Sequence, residues 1–131
     1  MSKKKTMKIM LAITMMCMLI SCSEGSSDLQ DPVFCTEELR PGLEITVKDI
    51  VTDSVITNGI TVIAFNTDQR EELKLVDNRH YEGAYEEEGS YLLEIKGEKY
   101  TSFSLETPIV VEADICHVIT ETREVFLTPS E

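Results

Sequence analysis

The sequence predicts an all-β fold, an antiparallel β-sandwich of about seven strands, and three observations carry that expectation. In residues 81–103, YEGAYEEEGSYLLEIKGEKYTSF, the side chains Tyr91, Leu93 and Ile95 alternate with Leu92, Glu94 and Lys96, the two-residue period of a strand with one wet face. Glu88-Gly89 and Lys96-Gly97 supply turn punctuation around that strand. Past residue 21, no stretch shows the helical spacing of apolar residues.

The elements follow in order. Gly42 opens a first strand in which Leu43, Ile45 and Val47 face one way and Glu44, Thr46 and Lys48 the other. A loop from Asp49 reaches Asn58-Gly59, and residues 60–65 then form a strand apolar on both faces, Ile60, Val62 and Ala64 on one and Ile63 and Phe65 on the other. Two dry faces need two covers, either a central position under a loop or a surface that meets a partner. Residues 66–70 read as a polar turn, 71–76 as one strand with Leu73 and Leu75 inward, and Asp77-Asn78-Arg79 as a further turn. Residues 100–105 place Phe103 and Leu105 on one face, and Pro108 precedes a strand over 109–111. Residues 116–128 form the last strand, in which Cys116 and Val118 share one parity and Val125 and Leu127 the other; a β-bulge between Thr120 and Glu124 would reconcile them.

The chain of 131 residues begins with a targeting segment. Lys3, Lys4, Lys5 and Lys8 form a basic region, and residues 9–20 are apolar apart from Thr14. That run is too short to span a bilayer, where a helix needs about 20 apolar residues, and reads as the core of a cleaved signal. It ends in Leu19-Ile20-Ser21-Cys22, which resembles the bacterial lipobox and implies cleavage before Cys22 and lipid attachment to that cysteine. The alternative is an ordinary secretory signal, which would leave Cys22 as an odd thiol. The expected organisation is a signal peptide over 1–21, a Ser-, Glu- and Gly-rich tether over 22–30 and one domain over 31–131. Ser23 stands where an inner-membrane retention aspartate would follow the lipidated cysteine, so the expected address is the outer membrane of the cell envelope.

Of the 12 basic residues the leader takes four, leaving eight against 24 acidic ones, so the net charge moves from −12 to about −16. Such a surface excludes nucleic acid and any electrostatic grip on anionic lipid. With Cys17 in the leader and Cys22 lipidated, Cys35 and Cys116 remain, and an oxidising compartment should pair them; two free buried thiols are the alternative.

Val47-Lys48-Asp49, Asn58-Gly59-Ile60-Thr61-Val62, Tyr81 with Gly83-Ala84-Tyr85, Gly89-Ser90-Tyr91 and Lys99-Tyr100 together resemble the carboxypeptidase regulatory-like domain of the transthyretin-like sandwiches, an Ig-like architecture. Cys116-His117-Val118 before a terminal alternating strand resembles the lipoprotein members of that group. The resemblance spans about residues 43–127 and departs where Glu98 and Lys99 separate Gly97 from Tyr100. It implies a domain without catalytic activity. The related hydroxyisourate hydrolases need several histidines and a C-terminal Tyr-Arg-Gly-Ser, whereas this chain has His80 and His117 and ends Leu-Thr-Pro-Ser-Glu.

No zinc-peptidase, nucleophile-elbow or phosphate-loop motif is present, so an enzyme is not expected. A zinc set of Cys35, Cys116, His117 and His80 lacks ligand spacing, and an oxidised pair supplies no thiolate; no metal and no cofactor are expected. Glu86, Glu87 and Glu88 read as a solvated turn rather than a calcium loop. The functional expectation is a lipid-anchored envelope module that meets an unknown envelope protein. The alternative is a small-ligand or glycan binder, and the candidate surface residues are Ile63, Phe65, Tyr81, Tyr85 and Tyr91, although the three tyrosines read first as core and edge packing rather than as a sugar-stacking platform.

Overall fold

Alternation becomes two faces in the first strand, β1 (Leu43–Asp49), where Leu43, Ile45 and Val47 are sealed from solvent and Glu44, Thr46 and Lys48 are partly exposed. The computed structural model describes residues 31–131, so the expected signal peptide over 1–21, Cys22 and the tether over 22–30 lie outside the described residues. Phe34–Glu131 forms one unit around a single core. Its further strands are β2 (Ile60–Phe65), β3 (Arg70–Glu72), β4 (Lys74–Val76), β5 (His80–Gly83), β6 (Gly89–Gly97), β7 (Tyr100–Ser104), β8 (Ile109–Val111) and β9 (Glu121–Leu127).

Two sheets face each other across the core. One has the order β4-β5-β1-β9; the other has β3-β2-β6-β7, with β8 pairing the N-terminal part of β6. The all-β sandwich is as expected, with nine strands in place of about seven. The inner faces contribute Leu43, Ile45, Val47, Tyr81, Val125 and Leu127 from the first sheet and Val62, Ala64, Tyr91, Leu93 and Ile95 from the second. Burial of these side chains stabilises the fold by roughly 1.5–3 kcal/mol for each large aliphatic one.

Three expectations need correction. The run over 71–76 is two strands in different sheets: Leu73 is a corner, its N–H bonded to the Val62 carbonyl (2.8 Å) and its side chain in the core, so β3 pairs β2 while β4 pairs β5. A period-2 pattern continues through such a corner because both sheets share one interior. The acidic stretch after β5 carries the chain from the first sheet to the second.

The last strand is shorter than expected and has no bulge. β9 runs in unbroken register with β1 from Leu43↔Glu121 to Asp49↔Leu127. The parity change lies in residues 112–120, where Ala113 bridges Val118 and the Asp114 Oδ1 accepts the N–H groups of Cys116 (2.7 Å) and His117 (2.9 Å). That turn absorbs the odd residue a bulge would have taken. The β1–β9 pair is parallel, so the sandwich is not antiparallel throughout. Parallel neighbours need a long crossover, and here everything between the first and last strands supplies it.

Candidate functional site

The sequence-predicted surface divides once the side chains are placed. Tyr81 and Tyr91 are buried at 5% and 3% exposure, the first donating its hydroxyl to the Ile56 carbonyl (3.1 Å) and the second to the Glu87 carbonyl (3.3 Å). Burial pushes both phenols up from their ordinary pKa. These two are core side chains with satisfied polar tips, as the packing reading of the tyrosines expects, and their place in the candidate surface is corrected. Tyr85 is exposed, and its hydroxyl donates to Glu82 Oε2 (2.5 Å), which pushes the phenol up to about 12.

Ile63 and Phe65 lie on the outer face of the second sheet, as the alternation of β2 requires, and both are half-buried. Register places Phe65 opposite half-buried Leu92 and Ile63 opposite Glu94. Arg70, from β3, lays its guanidinium over the Phe65 ring at 5.5 Å and pairs with Glu94, which Lys96 also contacts at 2.7 Å. Hydrogen bonds from Lys96 and then Arg70 hold the Glu94 carboxyl below the usual range. The result is a small apolar strip, Ile63, Phe65 and Leu92, rimmed by charges of both signs.

An open groove of about 960 Å3 lies where β1 ends and the β6–β7 hairpin turns. Its organiser is Asp49: Oδ1 accepts the N–H groups of Val51 (2.8 Å) and Thr52 (3.1 Å), and Oδ2 accepts the Tyr100 hydroxyl (3.2 Å). The Thr52 and Val51 N–H groups, outweighing partial burial, lower the Asp49 pKa. Gly97 permits the close packing of this end, because a Cβ there would stand 2.8 Å from the Gly59 carbonyl oxygen. Glu98 and Lys99 form the two-residue turn between Gly97 and Tyr100, and the chain end adds to β7 through Thr101 N–H to Thr128 O and Ser130 N–H to Lys99 O, each 2.9 Å. Lys96, Lys99, Thr57 and Asn58 give the groove a polar lining beside the Tyr100 ring.

The opposite end is pinned. Cys35 and Cys116 form a disulfide, with Cα atoms 5.3 Å apart across 81 residues of sequence. Beside it Glu86 accepts the Arg40 N–H (2.7 Å), His117 Nδ1 (2.8 Å) and the Val118 N–H (3.4 Å), while His117 Nε2 meets Thr36 Oγ1 (3.0 Å). The Arg40 N–H first, then His117 and Val118, outweigh partial burial and hold the Glu86 carboxyl below its ordinary range. Glu86 is thus a structural acceptor, which the reading of Glu86–Glu88 as a solvated turn missed. Phe34, Leu39 and Ile115 stand exposed around this end.

A further cluster was not legible at all. On the outer face of the first sheet Glu44 of β1 sits opposite Glu82 of β5, with His80 two residues along the same face. One ligand atom from each of the three lies within 4.8 Å of the others. Burial pushes the Glu82 carboxyl up, but hydrogen bonds from Tyr85 and His80 outweigh it and leave the group below its usual range. Outward parity was available from alternation for Glu44; the register that joins it to Glu82 was not.

No model of a known protein family matches the chain, and no curated protein matches it either.

Proposed function

We infer that the chain is a non-enzymatic, lipid-anchored β-sandwich of the bacterial cell envelope that works as an accessory interaction module, anchored through Cys22 in the outer membrane. The observation that carries the reading is the strip of Ile63, Phe65 and Leu92 on the outer face of a central strand, a place where a lone sheet ordinarily turns polar. Its rim of Arg70, Glu94 and Lys96 suits a protein partner whose apolar side chains are flanked by charges. The main carboxylates at both ends of the sandwich, Asp49, Glu86 and Asp114, are occupied by backbone N–H groups, which is the work of a scaffold.

The test is comparative capture from envelope extract by the wild-type chain and by an Ile63→Asp, Phe65→Asp variant whose melting curve is checked first. A protein held by the wild type and released by the variant supports the reading; identical captures from a folded variant overturn it. Labelling with radioactive palmitate tests the anchor, which requires that Cys22→Ala take no label.

A small-ligand or glycan-binding lipoprotein is the second reading. The groove favours it, because Tyr100 offers a ring face beside the hydrogen-bonding groups of Thr57, Asn58, Lys96 and Lys99. Titration of soluble oligosaccharides against the wild type and Tyr100→Ala separates the two readings.

A further inference from the structure

We propose that Glu44, His80 and Glu82 form a binding site for one borderline divalent cation, of which zinc is the type, on the outer face of the first sheet. Three independent features of the cluster point there. First, register sets two carboxylates directly opposite each other on neighbouring antiparallel strands, Glu44↔Glu82, where like charges repel. A cation between them turns that repulsion into attraction. Second, the donor set mixes one imidazole nitrogen with two carboxylate oxygens, all within 4.8 Å of one another. Three protein ligands of this kind with an open fourth position are the usual composition of an accessible zinc site. An imidazole selects against magnesium and calcium, which take oxygen ligands.

Third, the ligands are held. His80 and Glu82 are each 15% exposed on a face that no strand of the described residues covers, and His80 Nε2 lies 2.7 Å from Glu82 Oε1. The Tyr85 hydroxyl binds the other oxygen, Oε2, so that Glu82 is oriented by an outer partner as carboxylate ligands commonly are. No hydrogen bond or ion pair engages the Glu44 carboxylate among the described residues. The ion would replace the hydrogen bond between Nε2 and Oε1; His80 would carry its proton on Nδ1 and present Nε2 as the ligand. Lys74, opposite Glu82 on β4, and Lys48 and Glu124 further along the same face are the other charges nearby. Lys74 is the one positioned to compete with the ion for Glu82.

The experiment is calorimetric titration of zinc chloride into the full chain in detergent and chelator-free buffer, repeated with magnesium and calcium chloride. One zinc per chain is expected, with no competition from either lighter ion. Glu44→Gln and His80→Gln should each weaken zinc at least about tenfold, and Tyr85→Phe should weaken it less, as a positioning residue. Glu124→Gln, on the same face, should leave it unchanged. Zinc should raise the melting temperature of the wild type and not that of His80→Gln, which also shows that the variant folds. Absence of binding, several weak sites spread over the acidic surface, or equal affinity in a folded His80→Gln overturns the proposal.

Discussion

At one end of the sandwich a covalent bond between Cys35 and Cys116 lies beside a carboxylate, Glu86, that gathers two distant segments; at the other, the loop after β1 hangs on Asp49 and on the hydroxyl of Tyr81. Both ends use a buried or half-buried acceptor to collect backbone N–H groups. They differ in what those groups belong to. Glu86 ties segments that are 46 and 31 residues away in sequence, whereas the Asp49 carboxylate mostly closes its own loop, two and three residues on. Long-range ties constrain the whole domain, and local ones shape a surface. The pinned end is therefore the frame, and at the grooved end the carboxylate shapes a surface loop.

Removing the disulfide should have the largest effect on that contrast. Cys35→Ala opens a loop of 81 residues and should cost about 4–5 kcal/mol on the chain-entropy account, read as a lower denaturation midpoint. Dithiothreitol should lower the wild type to match and leave the variant unmoved. Alkylation under denaturing, non-reducing conditions that adds two groups at these cysteines would count against the bond.

Glu86→Ala comes next, because it strips an acceptor from Arg40, His117 and Val118 together. Its pKa in the fold is below the ordinary value near 4.5, so its contribution is present above that value and lost as pH falls through the lower folded one. Wild-type melting temperature should fall on acidification below the ordinary carboxylate range, with a shallower fall in Glu86→Ala. Parallel curves would remove Glu86 from the frame.

A smaller change is expected at the boundary between core and groove. Tyr81→Phe leaves the Ile56 carbonyl without its donor and should cost about 1 kcal/mol, with faster amide exchange in residues 54–58 than near Cys116. The smallest effect belongs to Tyr100→Phe, which deletes a hydrogen bond to a loop that Val51 and Thr52 also hold. Melting should hardly move, while exchange at residues 50–54 should quicken. A large loss of stability in that variant would mean that the grooved end carries the fold as well.

What the sequence disclosed follows the same division between local and long-range. β1 and β6 were legible because alternation is a local property, and β2 because a short apolar run between turns is one too; Leu43, Ile45, Val47, Leu93 and Ile95 fell where parity put them. The disulfide was legible because pairing needs few alternatives when two cysteines remain. The corner at Leu73 was not, since its inward side chain continues the parity of Leu75 while the backbone changes sheet. Tyr81 and Tyr91 lay on the same apolar parity as their buried neighbours, but as tyrosines they also fit a surface reading; the Tyr81 acceptor, Ile56, comes from the tertiary fold, whereas Glu87 stands only four residues before Tyr91. Glu44, His80 and Glu82 meet through a register that joins positions far apart in sequence, which alternation cannot report.

The parallel pairing of β1 with β9 has a mechanical meaning. Both strands begin at the pinned end, each a short way after one partner of the disulfide. Tension arriving along the segment before Cys35 divides at the bridge and enters β1 and β9 at the same end and in the same direction. The two strands are then drawn as one ribbon and are not slid past each other, so the ladder between them carries little shear. One covalent bond and the sense of one strand pair thus bring the starts of the first and last strands to a single point of attachment.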